Sequence, residues 1–167
     1  TENGIVVTDI AGTGTVTVDT AGRLVITSGT TDENRTQIQF KRPQFAYSAS
    51  ATRDIAMFAR LKVSTAATTD AFFGLASVDT TVVTAVAGAT DVDDGIFLTK
   101  LATATDWTGT VIKDSTGTTT TTGITIADDT FMLVGFTVKA GVIRFYAVND
   151  SADVLRTPEN RTGGTPF

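Results

Sequence analysis

The chain has 167 residues, of which 41% are hydrophobic and 19% charged; that is enough for one domain with a full core and little for two, and too apolar for a disordered segment. It has neither Cys nor His, which excludes disulfides, thiolate zinc sites and histidine-based triads. Its net charge of −5 speaks against nucleic acid as a partner. No apolar run approaches the ~18 residues of a membrane-spanning helix, so no membrane is expected as a partner.

Residues 1–12, TENGIVVTDIAG, hold Ile5, Val6, Val7 and Ile10 as a short apolar block between Gly4 and Gly12 rather than as an alternation. The block suits two structures, an arm that adds to the edge of another chain or an ordinary first strand. The next stretch, TGTVTVD-TAG-RLVIT, reads as a hairpin. Setting Val18 against Leu24 and Val16 against Ile26 puts all four on one face and leaves a three-residue loop, Thr20-Ala21-Gly22. Gly22 then takes the left-handed position such loops need, and Asp19 faces Arg23 beside the turn. Residues 28–34 are loop by composition. Residues 36–40, TQIQF, alternate again with Ile38 and Phe40 inward, and Pro43 ends that strand or marks an edge.

In residues 54–79, Ile55, Met57, Ala59, Leu61 and Val63 alternate with Ala56, Phe58, Arg60 and Lys62, and a polar break STAATTD leads to AFFGLASVD. The first run is a strand with one buried face; the second is apolar on both faces, as for a strand inside a packed sheet. The short break suits an antiparallel connection between them, and the pair is the expected centre of the fold. Residues 80–94 fit either a helical turn through Val82, Val83 and Val86 or a covering strand. Residues 95–100, 106–113 and 118–122 read as strands, with Ser115-Thr116-Gly117 as the turn between the last two.

The closing stretch TFMLVGFTVK-AG-VIRFYAVN is a hairpin pairing Val138 with Ile143, Phe136 with Phe145 and Val134 with Ala147. A slip of one residue would set Phe136 against Arg144, so burial fixes the register. The same register sets Gly135 opposite Tyr146, whose ring can cover the bare backbone. Many short strands with regular turns and almost no helix make an all-β chain, an antiparallel two-sheet sandwich of jelly-roll type. Its parts are residues 1–12 as arm or first strand, 13–150 as the sandwich and 151–167 as a tail with little periodicity.

Chemistry is sparse. Asp91, Asp93 and Asp94 in DVDDG are the one carboxylate cluster, either a weak Ca²⁺ loop or a solubilising turn. Glutamate occurs only at Glu2, Glu33 and Glu159, without the facing carboxylate pair of a glycoside hydrolase. No cofactor is required by any motif, and the chain is not expected to be an enzyme. Arg35, Lys41, Arg42, Arg53, Arg60 and Lys62 share a segment whose only acid is Asp54. They are either solvated rims or a basic patch that docks on an acidic partner. Trp107, the one Trp, fits a core or interface position or an exposed face that stacks on a sugar.

The central pair RLKVS…D.FFGLA..DT, the strand DGI.F.K and the closing ADDTF..VGF.V…I.FY.N together resemble tailed-phage structural proteins with a concanavalin A-like (laminin-G-like) jelly roll. Within that group the chain is most similar to head-decoration, or capsid-cement, proteins. The matching segments span residues 22–149. The resemblance implies a non-enzymatic virion protein on the outer capsid surface, a homotrimer whose other partner is the major capsid protein. Ile5, Val6, Val7, Arg35, Lys41, Arg42 and Trp107 are the candidate interaction residues. The alternative is a lectin-like module on a phage fibre or head appendage. That alternative expects an exposed Trp107 or Tyr146 beside residues 91–94, with calcium between them and a glycan on the outer face.

Overall fold

A computed structural model describes residues 5–10, 14–28, 35–40, 54–77 and 92–150. These hold eleven β-strands and one short 3-10 turn, and every strand pairing among them is antiparallel. The all-β class read from the alternation is therefore the class observed. The strands fall into two compact units, β1 to β4 in one and β5 to β11 in the other.

In the first unit β1 (Ile5–Ile10) pairs with β4 (Arg35–Phe40), from Ile5 opposite Phe40 to Ile10 opposite Arg35. Ile5, Val6 and Val7 thus belong to a strand of their own chain. β2 (Thr15–Val18) and β3 (Leu24–Thr27) form the expected hairpin, with Val18 opposite Leu24 and Val16 opposite Ile26. Gly22 sits at φ 75°, in the left-handed region. The Asp19 carboxylate accepts from the backbone N–H of Ala21 and Arg23 at 2.9 Å each and from Arg23 Nε at 2.7 Å. The Arg23 backbone bond, followed by its side chain, lowers the Asp19 pKa below the ordinary 3.8. The hairpin's apolar face is not covered: Val18, Leu24 and Ile26 are all exposed.

The second unit packs two sheets face to face. One has the order β11-β10-β5, built from β5 (Ile55–Leu61), β10 (Met132–Lys139) and β11 (Val142–Asn149). The other is β6-β7-β8-β9, from β6 (Ala71–Ala76), β7 (Gly95–Lys100), β8 (Asp106–Lys113) and β9 (Thr116–Thr125). Met132, Val134, Phe136 and Val138 point from β10 into a core they share with Phe145 and Ala147 of β11, Leu98 of β7 and Trp107 of β8. The two sheets approach closely at Gly109, where a Cβ would run into the Phe145 ring. A glycine is needed there because a large ring fills the space from the opposite sheet.

Two expectations need correction. The runs at 55–61 and 71–76 are not partners: β5 pairs with β10, and β6 with β7, in different sheets. The link between them carries the 3-10 turn Ala66–Thr68 and crosses from one sheet to the other. Ile55, Met57 and Leu61 thereby meet the core from one side, and Ala71, Phe73 and Leu75 from the other. The turn before β9 is Asp114-Ser115, not Ser115-Thr116-Gly117. Lys113 pairs with Thr116, and both turn residues have positive φ, 48° and 60°. Such a two-residue turn matches the strand twist. The expectations for residues 78–91, for Pro43 and for residues 151–167 lie outside the described residues.

Candidate functional site

The outer face of the three-stranded sheet is where the second unit presents large apolar side chains to solvent. Strand alternation builds it: while Met132, Val134, Phe136 and Val138 turn inward, Leu133, Gly135, Thr137 and Lys139 line the other face. The register sets Gly135 between Phe58 of β5 and Tyr146 of β11. It sets Thr137 between Ala56 and Arg144, and Leu133 between Arg60 and Val148. The Phe58 and Tyr146 rings are 5.6 Å apart at a 53° tilt, within the range of favourable aromatic pairs. The Thr137 and Tyr146 hydroxyls lie 3.4 Å apart. Phe58 is 44% and Val142 47% exposed, and Arg144 is exposed beside them.

Tyr146 was expected to cover Gly135. The ring that comes closest is instead Phe58, whose Cδ1 lies nearer than ordinary contact to the place a Cβ at 135 would take. Phe58 reaches this place because β5 flanks β10 on the side opposite β11, a pairing between segments far apart in the chain.

One end of this face is closed by ion pairs. Arg60 Nε donates to Asp150 Oδ2 at 3.0 Å, and its guanidinium lies 3.7 Å above the Phe131 ring. Lys62 Nζ pairs with Asp129 at 3.0 Å. The two described lysine and arginine side chains of the basic segment at 35–62 are thus paired with acids from the far end of the chain. Arg35 lies in β4, but its side chain, like Lys41, Arg42 and Arg53, falls outside the described residues.

Trp107 is a second correction. It lies on the inner face of β8, fully buried in the core, so it offers no sugar platform and no interaction surface. Its Nε1 has no hydrogen-bond partner among the described residues. The inward position follows from the parity of β8, in which Trp107, Gly109 and Val111 share the face that meets β10 and β11.

The acidic loop also has a structural task. The Ser115 hydroxyl donates to Asp93 Oδ1, and the Ser115 N–H to the Asp93 carbonyl at 3.0 Å. The Asp114 N–H donates to Asp94 Oδ1 at 3.1 Å. Asp93 and Asp94 therefore hold the β8–β9 turn in its left-handed conformation, as acceptors for donors that face no strand partner. Asp91 lies outside the described residues. Among the described residues no group of three or more carboxylates is placed to hold a metal ion. Tyr146 lies on β11 of one sheet, whereas the loop at 93–94 leads into β7 of the other.

One group was not anticipated. Lys100, at the end of β7, shares the inward face with Ile96 and Leu98 and is 1% exposed. Its Nζ donates to the Thr69 carbonyl at 2.9 Å. Burial lowers its pKa from the ordinary 10.5, with the nearby Asp70 and Asp128 carboxylates acting in the opposite sense. Asp70 accepts from the Ala102 N–H and Asp128 from the Ala66 N–H, so these residues tie three loops together at one end of the core. The signal in the sequence was the parity of Lys100 with Ile96 and Leu98.

No protein-family model, curated protein or solved structure matches this chain.

Proposed function

We propose that the protein is a non-enzymatic assembly module that docks on the outer surface of a phage capsid, with the major capsid protein as its partner. The supporting observation is the exposed outer face of the three-stranded sheet, where Phe58, Tyr146 and Val142 present apolar area over a bare backbone at Gly135. A rigid sheet face with aromatic anchors and a polar rim suits protein docking. The resemblance of the segment order at residues 22–149 to head-decoration proteins supplies the partner. The test is binding of the purified chain to expanded capsids that lack it. Binding that falls at least about tenfold in Phe58→Ser and Tyr146→Ser, measured at a temperature where both variants remain folded, supports the reading. Failure of the wild-type chain to bind such capsids rejects it.

The same aromatic pair favours a second reading, a carbohydrate-binding module. Rings flanked by a hydroxyl at Thr137 and a guanidinium at Arg144 offer both stacking and hydrogen bonds to a sugar. A glycan array that stays blank with and without calcium removes this reading and leaves the first intact.

A further inference from the structure

β9 ends the four-stranded sheet, paired to β8 on one side only in the strand order. Every residue from 116 to 121 is exposed. Successive side chains alternate between the sheet's two faces, so at this end of β9 neither face is covered. Natural sheets guard a terminal strand with charges, proline or a bulge. Residues 116–121, TGTTTT, contain no charge and no proline. The irregularity in the pairing comes later, where Gly123 sits at φ 67° and the register against Asp106 and Thr108 slips. The threonines are β-branched and suit an extended strand. The result is a regular, uncharged strand edge that no strand among the described residues guards.

We propose that this edge is a self-association surface: residues 116–121 of one copy pair antiparallel with the same residues of a second copy, joining two four-stranded sheets into one. Charge selects a second copy as the occupant. In a two-fold antiparallel pair each residue faces itself or a near neighbour, so any charge would meet its like. Centred on Thr119, the pairs are Thr118 with Thr120 and Gly117 with Thr121, and no charges oppose one another. A chain of net charge −5 repels its own copies over most approaches, and an uncharged edge is where they can meet. A charged peptide would find no counter-charge along residues 116–121. The contact builds two-fold pairs; the trimer implied by the resemblance would need another surface. It is also separate from the Phe58–Tyr146 face, so either reading can fail alone.

The experiment is sedimentation equilibrium of the full chain over a range of concentration, with Thr118→Lys/Thr120→Lys and Thr118→Glu/Thr120→Glu as variants. The wild-type chain is expected to form a reversible dimer. Each charged variant is expected to dimerise at least about tenfold more weakly with an unchanged thermal midpoint, and their equimolar mixture is expected to recover the dimer. Hydrogen exchange on the wild-type chain needs no substitution: amides 116–121 should slow as concentration rises. A wild-type monomer at every concentration, charged variants that dimerise as well as wild type, or exchange at 116–121 that ignores concentration each overturns the proposal.

Discussion

Phe58 occupies the space that a side chain at Gly135 would need. A Cβ there would collide with the Phe58 ring and with the Met57 carbonyl oxygen, so the glycine is held by close approach of a neighbouring strand. Gly135→Ala is expected to displace the ring and strain the β5–β10 ladder, costing about 1–3 kcal/mol as an overpacked site. Phe58→Ala leaves the ladder intact and removes a half-exposed ring, at about 1 kcal/mol. Urea denaturation of the two variants checks the order, which would reverse if Phe58 were mainly a core residue.

Phe136 is the opposite case. It is fully buried between Met57 and Phe145 in the register and makes an edge contact with the Phe145 ring, centroids 6.3 Å apart. Phe136→Ala is expected to lose about 3–5 kcal/mol, the transfer term plus the cavity it leaves. The denaturation midpoint should fall well below that of Phe58→Ala.

The closing hairpin was legible because its alternation is strict and its turn carries Gly141. Slipping it by one residue would bury Arg144, and burial forbids that. The hairpin at 15–27 was legible from its alternation and from Gly22 in the turn, although its apolar face is exposed. The placement of β5 and β6 was not, because a run that is apolar on both faces does not name its partner. Nor was the Asp114-Ser115 turn, whose acceptors come from Asp93 and Asp94 some twenty residues away. The candidate surface divided accordingly. Gly135 facing Tyr146 followed from the hairpin, whereas Phe58 joined them only through the long-range β5–β10 pairing. Trp107 and Lys100 both owe their burial to strand parity, which outranks the habits of a residue type when an inward position falls to it.

Ala140 carries a cost that a substitution can remove. It sits at φ 49° beside Gly141 at φ 77° in the β10–β11 turn, and a Cβ in the left-handed region is strained by about 1–2 kcal/mol. Asparagine tolerates that region better and is favoured at the first position of such turns. Ala140→Asn is expected to stabilise the second unit by roughly 0.5–1 kcal/mol, read as a higher thermal midpoint. A lower midpoint would show that Ala140 is held by packing rather than by the turn.

Lys100 gives the chain a pH dependence on the alkaline side. Burial lowers its folded-state pKa below the unfolded 10.5, against the pull of Asp70 and Asp128. Between the two values the unfolded chain binds more protons than the folded one, so stability rises with pH through that window. Below the folded value the penalty for burying the ammonium is present in full; above 10.5 it is gone. Lys100→Met keeps the length and apolar stem of the side chain and removes the titrating group. It also withdraws the donor from the Thr69 carbonyl, a constant loss that does not depend on pH. The difference in unfolding free energy between wild type and Lys100→Met is therefore expected to move in favour of wild type as pH rises from the lowered folded-state value towards 10.5, and to level off above it. Urea titrations at several pH values measure that slope directly. Parallel pH profiles for the two proteins would mean that Lys100 titrates alike in the folded and unfolded chains and that its burial does not disfavour the charged form.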